Sequence, residues 1–353
     1  MRLPETENRS PPAVRVLIAD DSSFMRKALT HILKADASIE VVDVASDGEE
    51  AFDKVLKWRP HVILLDIQMP RVDGLAALKR IMAEAPTPVI VLSGLDHTDM
   101  GVALKSLEFG AVDFISKPSG TTSYDIDEIS AEIIAKVRVA AGADVAKLAY
   151  CSPKRTMPGS KNKSPRGGKL VVIGASTGGP RAAQEVLSAL RQQSAAYLLV
   201  QHMSEDFVPV LAERLNCVCQ MPASIARKGE VITAGHIMVA PGGYQISITA
   251  RDSRRAVSYS RLDKLNFSCP SIDVVMKSAA REYGSEAIGV LLTGVGDDGA
   301  RGMQAIKQAG GHTIAQDQST SLIFGMPRAA IELGCVDEVL PLPLIATAIS
   351  RAI

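Results

Sequence analysis

Two constellations in this 353-residue chain have residue types and spacings that could do chemistry. The first is a set of carboxylates with one lysine. Asp20 and Asp21 follow the β-branched run Val14–Ala19, Asp66 follows Val62–Leu65, Ser93 follows Pro88–Leu92 and Lys117 follows Val112–Ser116. Three clustered carboxylates repel one another, and a cation and a lysine relieve that repulsion. An all-oxygen set suits a hard octahedral ion such as Mg²⁺. Taken singly, Asp20 and Asp21 read as caps of a following helix and Lys117 as a surface lysine. All five residues at strand ends favour the chemical reading.

The second constellation begins with Gly174-Ala175-Ser176-Thr177-Gly178-Gly179, a G-x-S-x-G string between a strand and a helix. A tight turn of this kind presents a serine hydroxyl and leaves helix N-terminal amides for an oxyanion. It could also cradle a phosphate, but it lacks the Gly-Lys-[Ser/Thr] of a P-loop and the G-x-G-x-x-G of a dinucleotide site. A serine nucleophile needs a base and an orienting carboxylate. His202 follows the strand run Tyr197–Val200, the next after the serine strand, which makes it a better base than His236 or His312. Asp297 and Asp298 both lie in the glycine-rich turn after Leu291-Leu292, and topology alone does not choose between them. The order serine, histidine, aspartate differs from the α/β-hydrolase order, so a different fold would reach the same acyl chemistry.

The elements around these residues alternate between two periods. In the first stretch, short β-branched runs at Val14–Ala19, Ile39–Ala45, Val62–Leu65, Pro88–Leu92 and Val112–Ser116 are separated by amphipathic segments. Five strand–helix repeats predict a flavodoxin-like (βα)5 unit with a parallel sheet covered on both faces. The second stretch predicts another α/β doubly wound parallel sheet. It carries a β-hairpin insertion, expected to pair Ile237–Ala240 with Gln245–Thr249 across Pro241-Gly242-Gly243-Tyr244. Cys151–Gly168 is rich in Pro, Gly, Ser and Lys and reads as a flexible tether. The expected domains are 13–140, a linker at 141–168, and 169–353.

Composition excludes several classes. Lys+Arg and Asp+Glu are both 39 and aromatics are 4%, so neither a polyanion-binding surface nor a base-stacking platform is expected. The balance hides an asymmetry: residues 1–144 carry 23 acidic and 16 basic side chains, and the remainder carries the reverse. Two regions of opposite sign could attract each other. Five cysteines without a C-x-x-C predict free thiols in a reducing compartment. Nothing at the N-terminus resembles a signal peptide, and no apolar run reaches the ~20 residues of a membrane span. A cytoplasmic protein without membrane insertion is expected.

Val16-Leu17-Ile18-Ala19-Asp20-Asp21-Ser22, Asp66-Ile67-Gln68-Met69-Pro70 and Asp113-Phe114-Ile115-Ser116-Lys117-Pro118 resemble the receiver domain of two-component response regulators. The resemblance implies that Asp66 accepts a phosphoryl group from a histidine kinase. It implies that Asp20, Asp21 and Asp66 hold Mg²⁺, that Ser93 and Lys117 grip the phosphoryl oxygens, and that Phe114 reorients on activation. The strings around Ser176, His202 and Asp298, with Pro270-Ser271-Ile272-Asp273 and Phe324-Gly325-Met326-Pro327, resemble the catalytic domain of chemotaxis protein-glutamate methylesterases. That resemblance puts the triad on Ser176, His202 and Asp298 and the oxyanion donors at Thr177 and Val295, with no cofactor in the catalytic domain. It implies hydrolysis of glutamate methyl esters, and deamidation of specific glutamines, on methyl-accepting chemoreceptors. It further implies that the receiver blocks the esterase until Asp66 is phosphorylated. Three positions depart from the family pattern: Val295 where methionine is common, Gln245 where histidine is frequent, and Asn266-Phe267-Ser268-Cys269 where a more basic stretch is usual.

Overall fold

In the computed structural model, residues 13–94, 96–117, 123–150, 168–191, 194–251, 254–260 and 269–353 are described. Of the expected tether Cys151–Gly168, residues 151–167 lie outside them, as do Pro118 and Asn266–Ser268. The chain divides into two units, residues 1–94 with 109–143 and residues 95–108 with 144–353. The sequence reading counts 95–108 with the first unit. Each unit carries one large parallel sheet.

The first sheet holds β1 (Val14–Ala19), β2 (Ile39–Ala45), β3 (Val62–Asp66), β4 (Val89–Ser93) and β5 (Asp113–Ser116) in the order β2-β1-β3-β4-β5. Every described pairing in it is parallel. This is the flavodoxin-like order expected from the five repeats. The intervening helices are α1 (Ser23–Lys34), α2 (Gly48–Trp58), α3 (Gly74–Glu84), α4 (His97–Ser106) and α5 (Ser123–Ala141). All of β3 and β4 is buried, which is why both strands read as continuous apolar runs rather than alternating ones. Side-chain caps start the first four helices. Ser22, Asp47, Asp73 and Asp96 each accept a backbone N–H of the first turn. The cap of α1 is therefore Ser22, which leaves Asp20 and Asp21 for other work.

The second sheet has seven strands in the order β14-β13-β12-β6-β7-β9-β8. These are β6 (Leu170–Ala175), β7 (Ala196–Gln201), β8 (Ala223–Ile225), β9 (Ile237–Val239), β12 (Ala287–Leu291), β13 (His312–Gln316) and β14 (Glu338–Leu340). Its helices are α6 (Gly179–Ala189), α7 (Phe207–Val218), α8 (Ile272–Tyr283), α9 (Ala300–Gln308), α10 (Met326–Glu332) and α11 (Leu342–Ala352). A hairpin is present, but its strands are β10 (Gln245–Arg251) and β11 (Arg254–Ser260), paired antiparallel. The expected partner, Ile237–Ala240, instead enters the main sheet as β9, parallel to β7 and β8. The reason is burial. Ile237, Met238 and Val239 are fully buried, and a three-residue strand apolar at every position belongs inside a two-sided sheet, not on a surface ribbon.

Helices α8 and α9 pack side by side, and Gly302 permits their approach. A Cβ there would stand 2.5 Å from Met276 Cβ and 3.2 Å from Asp273 Cα. Gly302→Ala is expected to destabilise the second unit by about 1–3 kcal/mol through overpacking, read as a lower urea midpoint. An unchanged midpoint would show that α9 can shift aside at no cost.

Candidate active site

In each sheet the candidate residues sit at the carboxyl edge where the strand order reverses, the usual ligand position in open α/β sheets. In the first sheet that point lies between β1 and β3. Asp20 leaves β1 and Asp66 ends β3, and both carboxylates are buried. Asp21 is exposed beside them. One oxygen from each of the three lies within 4.8 Å of the others. Lys117, after β5, reaches across with Nζ 3.0 Å from Asp20 Oδ2 and 2.7 Å from Asp66 Oδ2. Those are ionic distances, yet neither buried oxygen has a hydrogen bond of good angle. The remaining oxygens are held by backbone: Ser22 N–H donates to Asp20 Oδ1 at 2.9 Å and Gln68 N–H to Asp66 Oδ1 at 3.2 Å.

Charge balance explains the electrostatics. Burial raises the Asp66 carboxyl above its usual range, Asp20's negative charge adds to this, and Lys117 opposes both. Burial works to lower Lys117, but its two carboxylate partners outweigh it and raise the ammonium. A pocket with buried carboxylate oxygens short of donors and an all-oxygen ligand set fits a hard divalent cation. Ser93 and Phe114 are buried on the neighbouring strands β4 and β5, and Ser93 Oγ donates to Gly94 O at 3.0 Å.

In the second sheet the reversal lies between β6 and β12. Strand pairing sets Ala175 beside Gln201 and Gly174 beside Leu291, so the turns after β6, β7 and β12 emerge together. Ser176 is in the first, His202 in the second and Asp298 in the third. His202 Nε2 stands 2.9 Å from Asp298 Oδ2, leaving Nδ1 available for proton transfer. Asp297 is exposed, and among the described residues its hydrogen bond is the one its backbone carbonyl accepts from Ala300 N–H. Burial works to raise Asp298, but the His202 bond and the Asp273 and Ile272 backbone amides outweigh it and hold the carboxyl below its usual range.

The serine turn is fixed through its backbone. Ser176 N–H donates to Thr293 O at 3.0 Å, and Ser176 O accepts from Gly179 N–H at 2.7 Å. Gly178 takes a left-handed φ of 74°, which lets the chain pass from turn to α6. Gln201 is a residue that sequence reasoning passed over. Its buried Nε2 donates to Ser176 O at 2.9 Å and to His202 O at 3.0 Å, tying the two turns together. Thr293 is another, with Oγ1 bonded to Thr177 O and accepting from Ile323 N–H. Their signal was available: each is a polar residue ending or following an otherwise apolar strand. Thr177 is buried beside Ser176, and Val295 is 40% exposed.

A family model described as CheB methylesterase matches residues 171–349, and one described as response regulator receiver domain matches residues 16–125. A Symbiobacterium thermophilum relative, named protein-glutamate methylesterase/protein-glutamine glutaminase, is 40% identical over 96% of this chain and 97% of its own. The chain belongs to the CheB methylesterase family. A second relative with the same name, from Pyrococcus abyssi, is 41% identical over 96% of this chain and 94% of its own. Among solved structures, the CheB methylesterase catalytic domain of Thermotoga maritima matches with a TM-score of 0.52 at 36% identity. It covers 53% of this chain and all of that one. Membership makes the protein an ester hydrolase joined to a receiver, as the residues suggested.

The departures from the CheB pattern fall in different places. Gln245 is buried, with Oε1 accepting from Ser271 N–H at 2.8 Å and Nε2 donating to Cys269 Sγ at 3.3 Å. It therefore supports the start of α8 from within. Val295, by contrast, is exposed. Cys217, Cys219, Cys269 and Cys335 carry free thiols, and burial raises Cys219 to about 12. Among the described residues no helix is long and apolar enough to cross a membrane.

Proposed function

We propose that this protein hydrolyses glutamate methyl esters on methyl-accepting chemoreceptors by a Ser176-His202-Asp298 triad, in residues 169–353, under control of a receiver in residues 13–140. The observation that carries the reading is the convergence of a G-x-S-x-G turn with a His202–Asp298 pair at one sheet edge. Ser176 Oγ attacks the ester carbonyl while His202 takes its proton through Nδ1. Asp298 fixes the imidazole tautomer and stabilises the imidazolium. The Thr177 amide, with a donor from the Val295 turn, faces the tetrahedral oxyanion; a hole donor of this kind contributes about 3 kcal/mol. His202 then protonates the departing methanol. Water, deprotonated by His202, releases the acyl-enzyme as the free glutamate. The same acyl chemistry on a glutamine amide releases ammonia, which supports the glutaminase activity named for the relatives.

In the receiver, Asp66 would take the phosphoryl group from a histidine kinase. Asp20, Asp21 and Asp66 would hold Mg²⁺, which neutralises phosphoryl charge when bound. Lys117 pairs with Asp66 before transfer and is placed to meet a phosphoryl oxygen after it. Ser93 would supply a hydroxyl to another oxygen, and Phe114 would change rotamer. Phosphorylation would relieve a block of the esterase by the receiver, shifting a two-state equilibrium by the differential interaction of the two states, about 1–3 kcal/mol. Removal of Met1–Arg166 is expected to raise basal methanol release several-fold. A truncated chain no more active than the whole would remove the block from the account and leave the esterase.

A further inference from the structure

The N-termini of α8 and α9 exchange carboxylates. Asp298 stands just before α9, yet its side chain caps α8. Asp298 Oδ1 accepts from Ser271 Oγ and from Asp273 N–H, each at 2.9 Å, and Oδ2 accepts from Ile272 N–H at 2.8 Å. Asp273 lies in the first turn of α8, yet its side chain caps α9. Asp273 Oδ1 accepts from Gly299 N–H at 3.0 Å and from Gly302 N–H at 2.7 Å. Gly299, between the two, takes φ 96°, so the chain turns sharply from Asp298 into α9. α9 has no side-chain cap of its own, and the carboxylate from α8 takes that place.

We propose that Ser271 and Asp273 are positioning residues that act through Asp298, holding its carboxylate in the one orientation that meets His202. This rests on the triad reading above and adds two residues to it. Asp298 Oδ2 is shared between His202 and the Ile272 amide, so the carboxylate cannot rotate without breaking bonds to α8. Ser271 fixes the other oxygen. It does so as the N-cap of α8, with Oγ also accepting from Val274 N–H at 3.4 Å. Asp273 fixes the backbone on which Asp298 rides, because it binds the amide of the next residue, Gly299. Neither residue touches the serine turn in any described hydrogen bond, so both should alter turnover without altering substrate affinity.

The test is a double-mutant cycle on the full chain, read by methanol release with methylated receptor membranes. Ser271→Ala and Asp273→Asn are each expected to lower kcat about tenfold with KM within about twofold, and each to add less than about twofold in an Asp298→Asn background. Urea unfolding of each variant checks that it folds. If Ser271→Ala does not fold, Asp273→Asn carries the reading, since it keeps the side-chain shape and one acceptor oxygen. A tenfold loss that persists in the Asp298→Asn background would overturn the proposal, as would a raised KM with unchanged kcat. Turnover lost in Ser176→Ala but unchanged in both variants would overturn this inference alone. Turnover retained in Ser176→Ala would overturn the triad reading and this inference with it.

Discussion

Ser176→Ala is expected to lower methanol release by about 10⁴–10⁶ in kcat while Asp66 still takes up phosphate. Removing the nucleophile removes the acyl-enzyme route entirely, and the residual rate comes from the oxyanion donors and binding alone. The substitution deletes one oxygen at a half-buried position whose backbone is held by Thr293, Gly179 and Gln201. The turn should therefore keep its shape, and the urea midpoint should stay near that of the parent. Retained turnover would mean that the G-x-S-x-G turn is a structural feature and that another group carries the chemistry.

The second large effect belongs to the other sheet. Asp66→Ala is expected to abolish phosphoryl uptake from acetyl phosphate, because Asp66, buried at the end of β3 and paired with Lys117, is the proposed acceptor. The same change removes one of two carboxylates facing Lys117, whose pairing with Asp20 at 3.0 Å remains. Basal ester hydrolysis should persist, since Asp66 belongs to the first sheet and the serine site to the second. Phosphate incorporation by intact-mass spectrometry checks the first statement. Incorporation at the wild-type level would place the acceptor elsewhere.

Much of both sites was legible before the structure, for physical reasons that differ between residues. Asp20, Asp66, Ser93 and Lys117 were readable because buried parallel strands announce themselves as apolar runs, and polar residues that end such runs must meet at one edge. Ser176 and His202 were readable in the same way from β6 and β7. Residue types alone left Asp297 and Asp298 tied, since adjacent residues in a turn point in different directions that spacing does not encode. The family resemblance favoured Asp298, and in the fold that is the carboxylate that meets His202. The hairpin was misplaced because two neighbouring strand runs joined by a short Pro-Gly-Gly-Tyr turn were paired with each other, although Ile237–Val239 is apolar at every position and Gln245–Arg251 alternates. The neighbours are β7 and β8 for Ile237–Val239 and β11 for Gln245–Arg251. Ser271 and Asp273 were quoted as part of a motif but given no role. Their function depends on two helix N-termini meeting, a long-range fact that local spacing does not carry.

Methanol release from methylated chemoreceptor membranes, with and without acetyl phosphate and Mg²⁺, tests the central claim most directly when run beside Asp66→Ala. The account predicts release by the parent chain, stimulation by acetyl phosphate, and loss of that stimulation alone in Asp66→Ala. No release from the parent chain, with Asp66 shown by mass to be phosphorylated, would contradict it.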